Sequence, residues 1–183
     1  MDLRYTIALA RTSDVRALAL IELEAASLLR GHAPASVLEE TTDEDDFRDA
    51  QQAGRLWVAL AEDAPVGFAL VEMLADGLPH LEEVDVLPQH GRRGVGASLV
   101  RAVCPWVAQS GYPEITLTTF RNVPWNFPFY ARLGFEEIPS DELRAAVAAV
   151  VRDETARGFD PQSRVVMRYR VRATRQRNGS DSP

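Results

Sequence analysis

Gly91-Arg92-Arg93-Gly94-Val95-Gly96 separates an apparent strand from an amphipathic helix, and it restricts the fold more than any other stretch. The strand is read from Leu81 to Leu87, the helix from about Ala97 to Gln109. Glycine at such a junction permits unusual dihedrals and close approach to the backbone. The first amides of a helix lack intrahelical acceptors and carry its partial positive charge, so the turn suits an anion. It is not a Walker P-loop, because no Gly-Lys-Ser/Thr follows, and it lacks the Rossmann glycine spacing.

The elements around the turn alternate in kind. Tyr5 to Ala10 reads as a strand, and Asp14 as the cap of a helix from Val15 to Leu29 that Gly31-His32-Ala33-Pro34 breaks. An acidic stretch from Glu39 to Asp46 leads into a short helix ending near Ala53-Gly54. Trp57 to Glu62 and Val66 to Met73 read as a hairpin through Asp63-Ala64-Pro65. Glu114 to Phe120 is a strand, and a short helix follows with Asn126 as cap, Pro128 in its first turn and Gly134 as terminator. Phe135 to Ile138 reads as a strand, Asp141 to Arg157 as a helix, and Arg164 to Val171 as the last strand. Hairpins mixed with crossovers predict an α/β (α+β) fold: a mixed, mostly antiparallel sheet of about seven strands with helices on both faces. Residues 1–172 are expected to form one domain, and the polar stretch 173–183 a disordered tail.

With 183 residues, 46% of them hydrophobic, the chain can bury a real core. No apolar run reaches the length of a membrane span and no signal-peptide pattern is seen, so a cytoplasmic protein with no membrane partner is expected. The net charge of −7 argues against nucleic acid. One cysteine, Cys104, gives no disulfide and no Cys-based metal site; it is read as packing, ahead of a Pro105 that should kink or open its helix.

Two motifs carry a resemblance. The first is Val86-Leu87-Pro88-Gln89-His90-Gly91-Arg92-Arg93-Gly94-Val95-Gly96. The second is Phe129-Tyr130-Ala131-Arg132-Leu133-Gly134-Phe135. Together they resemble the GCN5-related N-acetyltransferase (GNAT) superfamily, over most of residues 4 to 171. One departure stands out: Gly91 occupies a position where the family usually has Gln or Arg, and Arg92 and Arg93 are the basic groups on hand.

The resemblance implies acetyl-CoA as co-substrate, no metal, and direct transfer to an amine in a ternary complex. It implies that Gly91, Arg92, Arg93, Gly94, Val95 and Gly96 hold the pyrophosphate, and that the backbone at Val84 and Val86 holds the thioester and pantetheine arm. Asn122 or Asn126 would reach that arm, although capping suits Asn126 better. His80 and Glu82 fall where the family places a base, and Tyr130 where it places the acid that protonates the thiolate. Strict strand alternation would put His80, Glu82, Val84 and Val86 on one face and Glu83 and Asp85 on the other, paired with arginine or solvent. His80 and Glu82 both stay open as the base. Trp125, Phe127 and Phe129 could line a substrate pocket or the core. Glu22, Glu24 and Glu72 could bind a cationic acceptor or be a solvated face. The expected substrate is a small-molecule primary amine. A protein or peptide acceptor, or a non-catalytic acyl-CoA-binding regulatory domain, is the alternative. The resemblance also admits a homodimer.

Overall fold

The computed structural model describes residues 4–171, so the expected tail lies outside the described residues. Seven strands form one sheet: β1 (Tyr5–Leu9), β2 (Leu56–Ala61), β3 (Ala64–Met73), β4 (Pro79–Val86), β5 (Glu114–Phe120), β6 (Glu136–Glu137) and β7 (Arg164–Arg170). Their order is β1-β2-β3-β4-β5-β7-β6, and every pairing is antiparallel except that of β4 with β5. The helices are α1 (Leu18–Ala26), α2 (Glu44–Gln52), α3 (Val95–Gln109), α4 (Phe127–Arg132) and α5 (Ala145–Ala156).

Strand β2 shows how the layers arise. All its residues are buried, because both faces of the sheet are covered. Trp57, Ala59 and Ala61 pack with Val95, Leu99, Val100, Val103 and Val107 of α3. Leu56, Val58 and Leu60 face the other way, toward Leu18 and Ile21 of α1 and Phe47 of α2. On that second face α5 covers β7, through Val147 and Val166. Each fully buried Leu, Val or Phe contributes about 1.5–3 kcal/mol.

Several local expectations shift. The β2–β3 turn is Glu62-Asp63, with φ of 50° and 67°, and Ala61 pairs with Ala64. Two residues at positive φ match the right-handed twist of the strands. Pro65 therefore lies inside β3, beside a register shift at Ala59/Leu60 that accommodates its missing amide. The expected first helix is α1 flanked by 3₁₀ turns, Val15–Ala17 and Ser27–Leu29. Asp14 does not cap it with its side chain; its carboxylate instead accepts from the Arg11 amide at 2.8 Å and pairs with the Arg11 guanidinium at 2.9 Å. Helix α3 starts at Val95 and runs unbroken through Pro105. The expected helix from Asp141 divides into a 3₁₀ turn, Ser140–Glu142, and α5.

Gly67 marks the tightest approach in the sheet. A Cβ there would lie 2.6 Å from the Asp85 carbonyl oxygen and 3.2 Å from Val86 Cα. That contact is backbone and cannot swing away, so β4 would have to move. Gly67→Ala should cost about 1–3 kcal/mol, read as a lower urea midpoint with an unchanged slope. An unchanged midpoint would show that β4 yields freely.

Candidate active site

The second half of β4 is the pivot of the site. Parallel pairing with β5 is confined to His80↔Thr116. Beyond it the strands part, so the β5-facing backbone groups of β4 have no strand partner there. The split opens toward the glycine turn. A Cβ on Gly96 would sit 3.5 Å from the Phe129 ring, 3.8 Å from Val86 and 3.9 Å from Val84. The start of α3, the end of β4 and α4 thus meet at one place.

The turn itself presents open amides. Gly94 is the N-terminal residue preceding α3, at φ 80°, and Arg92 stands at φ 60°. Among the described residues, the Gly91 amide bonds Pro88 O at 3.1 Å and the Ser98 amide bonds Gly94 O at 2.9 Å, while those from Arg92 to Ala97 find no turn or cap acceptor. Alternating right- and left-handed dihedrals aim such amides into one concavity that suits an anion. Arg92 and Arg93 are exposed beside it.

A β-bulge overturns the expected alternation. Glu83 pairs with Leu70 and Leu81 with Val71, so Glu82 is the extra residue. Leu81, Val84 and Val86 face α3. His80, opposite Glu72, and Glu83 and Asp85, opposite Leu70 and Phe68, belong to the face of α1 and α2. His80 therefore does not share a face with Val84 and Val86, because one inserted residue reverses the parity. Among the described residues Glu83 and Asp85 form no ion pair with arginine, and both stay partly accessible to solvent.

His80 is 1% exposed. Its Nδ1 lies 2.8 Å from Thr116 Oγ1, and its Nε2 lies 3.8 Å from Glu82 Oε2. Burial lowers the imidazole to about 4, so it is neutral at pH 7. Glu82 is pushed the other way. Burial first, then the charges of Glu72 and Glu154, raise it to about 7. A carboxyl in that range exchanges a proton readily near neutrality. A third of its side chain stays accessible, so water and substrate can reach it.

Tyr130 packs edge-on against Phe129 and Phe135, with centroids 4.9 and 5.7 Å away. Burial raises its phenol well above the ordinary value, and the charges of Glu83 and Asp85 add to the effect. The phenol is protonated at every working pH. Asn126 holds the N-terminal position of α4, but its side chain makes no capping bond, which corrects that expectation. Asn122 is exposed in the loop after β5. Trp125 is exposed rather than core, whereas Phe127 and Phe129 pack on the α3-side core. Burial raises the Cys104 thiol to about 11, so it is unreactive and serves packing.

Residues 31–42 form a strap from α1 toward α5. The Thr42 amide donates to Glu22 at 3.0 Å, Glu40 pairs with Arg157 at 2.7 Å, and Pro34 lies against Gly158. His32 meets Trp125 edge-on, 6.1 Å between centroids. A cavity of about 440 Å³ opens between the strap and α1, lined in part by Leu23, Ser27 and Leu38. Glu22, read as either a cation-binding or a solvated residue, is half-buried under the strap, where its carboxylate accepts from the Thr42 amide. Sequence reading missed Thr116; it took the stretch from Leu28 to Thr42 as a border of the acceptor site, without the anchors that hold it. The one available signal was three acids, Glu82, Glu83 and Asp85, in a strand whose neighbours are apolar.

The geometry combines an amide cradle, a split strand pair, a carboxyl tuned to neutrality and a protonated phenol. The model of the Acetyltransferase (GNAT) family matches residues 18–135. The chain belongs to that family. As a GNAT member it is an acyltransferase that works with coenzyme A. Solved structures agree in fold. PaiA N-acetyltransferase from Thermoplasma acidophilum, in complex with coenzyme A, is 16% identical, with a TM-score of 0.71 over 92% of this chain and 100% of that one. The ribosomal-protein-S18-alanine N-acetyltransferase from Escherichia coli is 18% identical, with a TM-score of 0.63 over 95% and 98%. N-acetylglutamate synthase from Neisseria gonorrhoeae, with coenzyme A and N-acetyl-glutamate, is 14% identical, with a TM-score of 0.69 over 94% of this chain and 36% of that one. Among the described residues no helix of this GNAT protein is long and apolar enough to cross a membrane. No group of three His, Cys, Asp or Glu side chains among them could hold a metal ion.

Proposed function

We propose that the protein is an acetyl-CoA-dependent N-acetyltransferase acting on a primary amine of a small molecule. The observation that carries the small-molecule reading is the strap. It is tied down at Thr42, Glu40, Pro34 and His32, and a fixed cover over α1 favours a small acceptor over an extended peptide.

The residues fit the co-substrate. The open amides from Arg92 to Ala97 hold the pyrophosphate, with Arg92 and Arg93 adding charge. The unpaired edge of β4 at Val84 and Val86 holds the pantetheine arm as an added strand would be held. Acetyl-CoA supplies an acyl carbon activated by a thiolate leaving group.

Glu82 takes the proton of the attacking amine, directly or through one water. His80 positions it. Thr116 Oγ1 holds Nδ1 at 2.8 Å, and Nε2 faces the Glu82 carboxylate at 3.8 Å; with the hydroxyl as donor to Nδ1, the ring proton sits on Nε2. Tyr130 gives its proton to the departing sulfur. The phenol is a weaker acid than a thiol, so its proton moves as the C–S bond breaks and not to a free thiolate, and the phenolate then regains a proton from solvent. The amine nitrogen gains the acyl bond, the C–S bond breaks, and one proton passes to each side.

Release of free thiol from acetyl-CoA, assayed over small primary amines and over peptides with free N-termini, tests the reading. Turnover is expected with amines. Turnover confined to peptides would overturn the small-molecule assignment. Tyr130→Phe should lower kcat by about tenfold or more and leave acetyl-CoA binding within about twofold. An unchanged kcat would remove Tyr130 as the acid.

A further inference from the structure

Thr116 and Thr118 lie two residues apart on β5, about 7 Å along the strand and on the same face. Thr116 Oγ1 holds His80 Nδ1 at 2.8 Å. The Thr118 hydroxyl donates to Oε1 of Glu154 on α5. Arg164, the first residue of β7, closes the group. Its Nη2 donates to Glu154 Oε1 at 2.5 Å and to Thr118 Oγ1 at 3.0 Å, and its Nε donates to Glu154 Oε2 at 3.0 Å. The guanidinium also stacks on Phe120 and Phe159, 4.5 and 4.8 Å from their ring centroids. Each of the two charged side chains is only 11% exposed. Two bonded groups thus stand side by side on one face of β5. One leads through His80 to Glu82, and the other is a buried ion pair.

Stability alone is a poor reason for the pair. Desolvation of both charges offsets most of their attraction, and an aliphatic side chain would pack against Phe120 and Phe159 without that penalty. What an apolar replacement could not supply is fixed charge in a low-dielectric interior, where its field is weakly screened. We infer that Thr118, Glu154 and Arg164 are positioning residues for proton transfer: Thr118 ties β5 to α5 beyond the point where β4 parts from it, and the Glu154–Arg164 pair sets the electrostatic surroundings of Glu82. This rests on Glu82 as the base of the proposed reaction and adds three residues that act on it from other elements.

The charges around Glu82 support the inference. They come from Glu72 on β3, His80 and Glu83 on β4, Glu154 on α5, Arg157 just beyond it and Arg164 on β7. Glu22 of α1 acts on Glu83 and Asp85. Glu154 raises Glu82, whereas Arg157 and Arg164 lower it. Arg157 is exposed and pairs with Glu40 at 2.7 Å. The Glu154–Arg164 pair is buried and held by Thr118, so its two opposed charges have fixed positions and partly cancel. Loss of the Glu154 charge unbalances them. Glu82 then faces Arg164 without its counter-ion, and its proton leaves at lower pH.

The test is the pH dependence of kcat/KM for the full-length protein, read as thiol release. Dividing each profile by that of the same background carrying Glu82→Gln cancels the amine's own titration and isolates the Glu82 limb. Glu154→Gln keeps an acceptor for Thr118 and Arg164 and removes only the charge, so it should move that limb to lower pH by about half a unit or more. Arg164→Lys disturbs the guanidinium fork and its stacking but keeps the charge, and should leave the limb in place. Thr118→Val keeps the shape and loses the hydroxyl; it should lower kcat several-fold at unchanged KM for acetyl-CoA, and Thr118→Ser should restore it. A limb that Glu154→Gln does not move, or that Arg164→Lys moves as far, overturns the electrostatic role. Wild-type kcat in Thr118→Val, or a deficit that Thr118→Ser does not relieve, removes Thr118 and, should Glu154→Gln fail to fold, the whole inference. A wild-type profile with no limb near 7 overturns Glu82 as the base, whereas a limb there that Glu154→Gln leaves unmoved overturns the cluster alone.

Discussion

Glu82→Gln is expected to lower kcat/KM by about a hundredfold or more, the usual contribution of a positioned general base. Gln preserves the size of the side chain and its place at the bulge, and removes only the ability to accept a proton. The pH profile carries the sharper signature. With Glu82 raised to about 7, wild-type activity climbs as pH passes through that value and the carboxyl ionises. The variant keeps any dependence that belongs to the amine and loses the part due to Glu82, so the ratio of the two rates grows with pH and levels off above about 7. A constant ratio from pH 5 to 9 would exclude Glu82 as the base. Stability moves in the opposite direction. The folded value lies above the ordinary 4.5, so ionisation of Glu82 opposes folding. This group's share of stability is fully present below 4.5 and is lost as pH rises through about 7. Glu82→Gln should therefore gain stability relative to wild type over that interval while it loses activity, which separates a catalytic defect from a damaged fold.

Gly96→Val is expected to raise the KM for acetyl-CoA by about a hundredfold while leaving the protein folded. Gly96 lies in the first turn of α3 without a left-handed φ, so a side chain is not excluded by backbone strain. The methyl of Gly96→Ala would meet Phe129, Val86 and Val84 at 3.5–3.9 Å, ordinary contact distances. Alanine should thus match or exceed glycine in stability, by up to about 1 kcal/mol. Its methyl would nevertheless enter the space between the open amides and β4. Loss of one hydrogen bond to a charged group is worth about 1.5–3 kcal/mol, or roughly ten- to a hundredfold in affinity. A graded loss from Gly to Ala to Val, with thermal stability maintained, is the expected series, measured by acetyl-CoA titration and thermal melts. Equal affinity across the series would place the pyrophosphate elsewhere.

Much of the site was legible because it is local. The open amides of the glycine turn follow from a chain direction and a helix start. The α4 segment reads from Asn126, Pro128 and Gly134, each near where a short helix needs it. What could not be read was parity. A single bulge at Glu82 reversed the face of His80 relative to Val84 and Val86. Bulges of this kind depend on the partner strand, here the Leu70/Val71 step, and not on a residue type within β4. The anchoring of the strap was hidden for a similar reason: Glu22 with Thr42 and Glu40 with Arg157 join positions far apart in the chain.

The sequence by itself determined the element order, the amide cradle and the family, because each depends on backbone conformation over a few neighbouring residues and on motifs of fixed spacing. Only the tertiary structure decided the chemistry of the side chains. His80 is held neutral and Glu82 is lifted toward neutrality by the same cause, removal from water by α1, α5 and the sheet around them. Desolvation and the charges of Glu72 and Glu154 act across space, from residues that no local pattern connects to β4.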